Sequence, residues 1–194
     1  MPLKIVAHRR RRQGRTNYRK RLDLLKSRNV RLVVRGSSKN MYCQLVEYNK
    51  NGDVVIASSS SKELSKFGWT ASNGTGNIPA AYLTGLLCGS KTKDKSIKVI
   101  LDIGVAQSSK GSKLYAALKG AIDGGLDVAH SNEAFPTDDR ISGKHIADYA
   151  AKIKKEKPVK YKSIFSGYLD NKINPEDIPK VFESAKAKIL SSGK

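Results

Sequence analysis

Alternation of apolar and polar positions opens the folded part of the chain. Residues 30–35 (VRLVVR) are rich in β-branched side chains and read as a strand. Residues 36–40 form a turn, 41–48 a second strand, 49–53 a turn with an Asn-Gly signal, and 54–60 a third strand. Three strands joined by short turns predict an antiparallel meander. The period then becomes helical. Asn77, Ile78 and Pro79 make a helix start with an Asn cap and an early proline, and 80–88 reads as a buried helix ending at Gly89. Residues 97–103 (IKVILDI) form a nearly continuous apolar run, which predicts a central strand covered on both faces. Leu114, Ala117, Leu118, Ala121 and Ile122 recur at i, i+3, i+4, i+7 and i+8, placing a helix over 112–123 that stops at Gly124 and Gly125. A short strand over 126–129 and a helix over 146–155 follow. The meander with this α, β, α, β, α succession predicts an α/β domain with a mixed sheet and helices on both faces.

Two extensions flank that domain. Residues 1–15 lack apolar periodicity and are expected to be disordered without a partner. From Thr16 or Asn17, both competent N-caps, Tyr18, Leu22 and Leu25 make a narrow apolar stripe on a short helix. That stripe is expected to dock on the protein, with Arg19, Lys20, Arg21 and Lys26 off it. After Lys157 and Pro158, Tyr161, Phe165 and Tyr168 stand among Lys160, Lys162 and Lys172. Such aromatics either stack on unpaired bases or anchor the extension. A last helix opens near Asn174, with Ile178, Val181, Phe182, Ala185 and Ile189 as its apolar stripe. The division is therefore 1–29, a basic arm and short helix; 30–157, the α/β domain; and 158–194, the C-terminal extension.

Charge changes the picture. The 194 residues carry 37 Lys+Arg against 17 Asp+Glu, a formal net charge of +20. Of this, +10 falls in 1–29, +4 in 30–150 and +6 in 151–194. A nearly balanced centre with two cationic extensions suits arms that follow a phosphate backbone. The arginine-rich stretch from Arg9 to Arg21 is the strongest element of this pattern, because the planar guanidinium binds phosphate in two-pronged fashion and stacks on bases. Two isolated cysteines, Cys43 and Cys88, build neither a disulfide framework nor a zinc site and read as core residues in a reducing compartment. No apolar run approaches the ~20 residues of a membrane span, and no apolar stretch after the first basic residues suggests a signal peptide.

Catalytic signals are weak. Asp102, Asp123, Asp127, Glu133, Asp138 and Asp139 supply carboxylates, and a Mg²⁺-dependent nuclease would use Asp102. Each has an ordinary turn or cap explanation. Residues 108–113 precede a helix and lack the phosphate-loop spacing, so Lys110 and Lys113 suggest contact with an RNA phosphate rather than a nucleotide site. His8, His130 and His145 have no metal-ligand spacing. A membrane-surface role for the 18–26 helix would need a broader apolar face with Trp or Phe.

The stretches RRRRQGRTNYRKRLDLL (9–25), RLVVRGSSKNMYCQLV (31–46), NIPAAYLTGLLCG (77–89), LDIGVAQSSKGSKLYAALKGAIDGGLDVAH (101–130), RISGKHIADYA (140–150) and FSGYLDNKINPEDIP (165–179) together cover most of the chain. In these the chain resembles the universal large-subunit ribosomal protein eighteen family, in its archaeal form. The resemblance implies a three-layer α/β fold of ribonuclease-H-like topology without that fold's catalytic acids; residues 31–35 hold no Asp or Glu. It implies a structural constituent of the cytoplasmic ribosome that binds 5S ribosomal RNA. The 5S RNA would be docked on the 23S-type large-subunit RNA at the central protuberance, beside other large-subunit proteins. No enzyme activity, cofactor, metal, membrane or small-molecule substrate is implied. The family's basic segment maps onto Arg9, Arg10, Arg11, Arg12, Arg15, Asn17, Tyr18, Arg19, Lys20 and Arg21. Its Ser-x-Lys turn maps onto Ser37, Lys39 and Asn40, next to Arg35, and its segment before the late helix onto Arg140, Lys144 and His145. The chain departs from the family in Asn17, where Asp is usual, in a shorter start before the arginines, and in lacking a histidine over 58–61.

Overall fold

In the computed structural model, which describes residues 6–70, 73–93, 97–171 and 173–192, five strands form one mixed sheet. β1 (Val30–Gly36), β2 (Met41–Glu47) and β3 (Val54–Ser60) make the antiparallel meander, and β4 (Lys98–Asp102) and β5 (Asp127–Val128) add in parallel on the other side of β1. The order is β3-β2-β1-β4-β5. This is the topology implied by the resemblance. Register sets which side chains share a face. Leu32 stands opposite Leu45 and Leu101, and Val33 opposite Gln44 and Asp102.

The Leu32 face carries the core. α3 (Ile78–Lys91) and α4 (Lys113–Asp123) cover it, and α9 (Ile178–Ser192) packs against α3. Leu32, Cys43, Leu45, Leu83, Leu86, Leu118, Ile178 and Ile189 are fully buried there together with Trp69. Burial pushes the Cys88 thiol up to about 11 and raises the Cys43 thiol well above its ordinary value, so both remain neutral core groups. α3 runs past Gly89 to Lys91. Gly89 does not end the helix because it is needed for contact: a Cβ there would lie 2.8 Å from the Ala121 carbonyl oxygen and 2.9 Å from the Gly124 Cα.

The Val33 face is different. It is overlaid by the arm, α1 (Arg9–Arg12) and α2 (Tyr18–Lys26), but not sealed. The expectation that β4 is apolar and covered on both faces is therefore corrected: its second face carries the buried, charged Asp102, and Ile100 and Leu101 are only half-buried. The arm also departs from expectation. Arg9–Arg12 form one helical turn, with Arg11 and Arg12 N–H bonded to the His8 carbonyl. Arginine is a good helix former, so the turn needs no apolar face. Residues 1–5 lie outside the described residues. On α2 the stripe is shifted: Leu22 is 56% exposed and Tyr18 is exposed, while Leu24 and Arg21 face the sheet. Arg21 pairs with Asp53 on that side, and Leu24 and Leu25 are half-buried.

Some elements carried signals that periodicity does not read. A 3₁₀ helix over Ser61–Phe67 starts with a capping box, Ser60 accepting from the Lys62 N–H and Glu63 accepting from the Ser60 N–H. The Ser-x-x-Glu spacing announces it. α5 (Asp138–Ile141), α6 (Lys144–Glu156), α7 (Pro158–Ile164) and α8 (Ser166–Asp170) follow β5. Tyr161 and Phe165 are buried with Ala150 and Ile153 in a small second core. Tyr168 donates to the Asn73 carbonyl at 3.2 Å. These aromatics thus anchor the extension; Lys172 lies outside the described residues.

Candidate nucleic-acid interface

The site is assembled where the parallel strands β1 and β4 end. Arg35 is the last but one residue of β1, Asp102 closes β4, and the arm crosses both ends before α2 returns along the sheet. Asn17 caps α2 by accepting from the Lys20 N–H at 3.1 Å. Arg10 Nε donates to Thr16 Oγ1 at 2.9 Å, and His8 lies against Tyr18 with ring centroids 5.3 Å apart. These contacts bend the arm back on itself. Arg9, Arg10, Arg11, Arg12, Arg15, Arg19 and Lys20 remain exposed around one end of the molecule.

Beneath the arm is a network of ions. Arg31, whose side chain is 4% exposed, reaches Asp102 at 3.1 Å and Asp53 at 2.7 Å. Asp53 also accepts from Arg21 at 2.8 Å. Arg35 donates to the Asp102 carboxylate at 3.1 Å and to its carbonyl at 2.6 Å. The Gly104 N–H donates at 2.8 Å to the same Asp102 oxygen, Oδ1, that Arg35 reaches, while Arg31 holds Oδ2. Burial alone would raise the Asp102 carboxyl. The Arg35 charge, the Gly104 N–H and the Arg31 charge outweigh it and hold the group below the usual carboxylate range. Both carboxylate oxygens are committed to donors. Asp102 is therefore a clamp for two guanidiniums. The other acids are dispersed: Asp123 accepts from Tyr82, Glu133 from Lys110, Asp138 from Lys119, and Asp139 pairs with Lys144. Among the described residues no three His, Cys, Asp or Glu side chains gather to hold a metal ion. Among the same residues no helix is long and apolar enough to cross a membrane.

The β1–β2 turn adjoins this end. Ser37 and Asn40 close it with N–H to oxygen bonds of 2.8 and 2.9 Å, and Thr75 bonds the Lys39 carbonyl. Lys39 stands free at its tip among the described residues. Lys113 is spent inside: its Nζ donates to the Ser37 carbonyl at 2.7 Å and to that of Gly76 at 3.5 Å. It shapes the turn rather than projecting from it. Lys110 is exposed but paired with Glu133. Arg140, Lys144 and His145 form a separate exposed group on α5 and α6. Gly143, between them, packs against Ile178 and Pro79 at the starts of α9 and α3. Two residues of the site, Arg31 and Asp53, escaped sequence reasoning. A strand arginine on the face opposite the core and an Asp in an Asn-Gly turn gain meaning only when the sheet brings them together.

These features define a basic α/β protein that presents a cationic end built from an arginine arm, a strand-end turn and α2. Residues 5–96 and 90–131 match the family of ribosomal large subunit proteins 60S L5 and 50S L18. The chain belongs to that family, which makes it a structural constituent of the large subunit of the cytoplasmic ribosome, with ribosomal RNA and ribosomal proteins as partners.

Proposed function

We propose that this chain binds 5S ribosomal RNA and attaches it to the 23S-type RNA of the large subunit at the central protuberance, beside neighbouring large-subunit proteins. In this reading 1–29 is the RNA-gripping arm, 30–157 the α/β body and 158–194 the extension that packs on it. The observation that carries it is the cationic end. Arg9, Arg10, Arg11, Arg12, Arg15 and Arg19 are exposed beside the 37–40 turn, on a frame that Asp53 and Asp102 hold in place. Exposed guanidiniums on a fixed frame exchange counterions for phosphates without first breaking a core. Asn17, Tyr18, Lys20, Arg21, Arg35, Ser37, Lys39 and Asn40 line the same end. Arg140, Lys144 and His145 make a second contact area, and Lys110 and Lys113 belong to the same reading, Lys113 at the 37–40 turn. No catalytic step is assigned.

Binding to 5S RNA against an unrelated structured RNA of equal length, across a salt series, tests the proposal. A preference for 5S RNA that persists at high salt is expected, because shape and 2′-hydroxyl contacts survive screening. Equal affinities that fall together as salt rises would overturn it and leave a generic polycation.

A further inference from the structure

Between the arm and the second face of the sheet lies a cavity of about 340 Å³, the low end of the ~300–1,000 Å³ range of small-ligand sites. Its floor is mostly apolar: Val33 of β1, Val46 of β2 and Val55 of β3 surround Gln44 of β2, with Leu24 of α2 over them. Its walls are cationic, six Lys and Arg side chains against the two carboxylates Asp53 and Asp102. Those carboxylates are already paired, so an entering group meets a positive field. One donor stands out. Arg31 lines the cavity and is buried, its terminal nitrogens are held by Asp102 and Asp53, and its Nε–H has no acceptor among the described residues. A buried unpaired donor costs about 1–3 kcal/mol, and native structures retain few of them.

We propose that this cavity receives a single unstacked nucleotide of the bound RNA. An apolar floor takes the face of a base, the Arg31 Nε–H meets an acceptor on the base edge, and the Arg10, Arg15 and Lys20 side of the rim takes the adjoining phosphate. Guanidinium planes also stack on bases, which suits Arg35 and Arg21 at the walls. This reading rests on RNA binding by the cationic end and adds to it a place where a base is read rather than a backbone merely neutralised.

Two tryptophan substitutions separate the cavity from its surroundings. Val55 and Val54 are adjacent on β3 and both 49% exposed, yet only Val55 lines the cavity. Val55→Trp is expected to weaken 5S RNA binding at least tenfold while leaving the salt dependence unchanged, since no cation is lost. Val54→Trp is expected to bind as the unsubstituted chain does. Equal binding by both variants, or equal loss in both, overturns the inference. Should Val55→Trp fail to fold, the Arg31 Nε–H resonance of ¹⁵N-arginine-labelled protein decides. A shift on adding 5S RNA supports the proposal. No shift, or a shift with free nucleoside monophosphates but not with RNA, overturns it. Failure of the parent reading looks different: the unsubstituted chain then shows no preference for 5S RNA at all.

Discussion

Individual residues divide into those that grip and those that hold the grip in place. Arg10 and Arg11 bury nothing, since α1 has no buried residue. Replacing both by Ala should leave the melting temperature unchanged. It should weaken 5S RNA binding and lower the magnitude of the salt slope by about 1.5 to 2, one phosphate contact each. A large loss of stability in a melting experiment would refute that division of labour. Asp102 is the opposite case. Its side chain is 8% exposed and neutralises Arg31 and Arg35. Asp102→Ala should cost about 3 kcal/mol in urea unfolding, the low end for breaking a buried ion pair, because Asp53 still holds Arg31. The pH dependence has a definite sign. The folded carboxyl sits below the unfolded value of about 3.9, so its contribution is complete above that pH and is lost as pH falls through the lowered folded value. The stability gap between the unsubstituted chain and Asp102→Asn should therefore be smaller at pH 3 than at pH 7. An equal gap at both would show that the charge of Asp102 is not what matters.

Among elements, the α3–α4 crossing shows how packing overrides local preference. A Cβ on Gly85 would lie 1.9 Å from the Ala117 carbonyl oxygen, and one on Gly120 would lie 2.0 Å from that of Tyr82. The helices touch backbone to backbone, and no side-chain rotation relieves the clash. Gly85→Ala gains about 1 kcal/mol of helix propensity and meets an overpacking cost of up to about 3 kcal/mol. The net loss of about 2 kcal/mol should lower the melting temperature by about 4–8 °C in a chain of this size. A rise would mean that the helices separate freely. Glycines inside a helical pattern look like interruptions or stops in the sequence, which is why the end of α3 read short; their purpose lies on the neighbouring helix. The same holds for α2, whose stripe residues Tyr18 and Leu22 are exposed while Arg21 reaches Asp53, 32 residues away.

The whole molecule has one main core closed by its C-terminal helix. Ile178, Phe182 and Ile189 of α9 are buried in it, Phe182 lying against Trp69 and Tyr82 at centroid distances of 6.5 and 5.5 Å. Three such side chains are worth about 1.5–3 kcal/mol each, comparable to a typical total stability of about 5–15 kcal/mol. Removing 158–194 should abolish the cooperative melt seen by circular dichroism, whereas removing 1–15 should leave it in place. A truncated chain that melts cooperatively at the original temperature would contradict this account of the core.

The strands, the principal helices and the arginine arm are written in the sequence because their causes are local: β-branched runs, 3.6-residue periodicity, Asn caps at 17 and 77, and contiguous charge. Local pattern thus determined that this is a mixed α/β protein with a cationic arm. What only the tertiary structure decided is what distant residues do to one another. It made Asp102 a guanidinium clamp and drew Lys113 inward to shape the 37–40 turn. It buried Tyr161 and Phe165, and it enclosed an apolar-floored cationic cavity around Arg31. The reason is physical: burial, ion pairing and close approach depend on partners far away along the chain, 76 residues between Lys113 and Ser37 and 95 between Tyr168 and Asn73, and no local pattern records them.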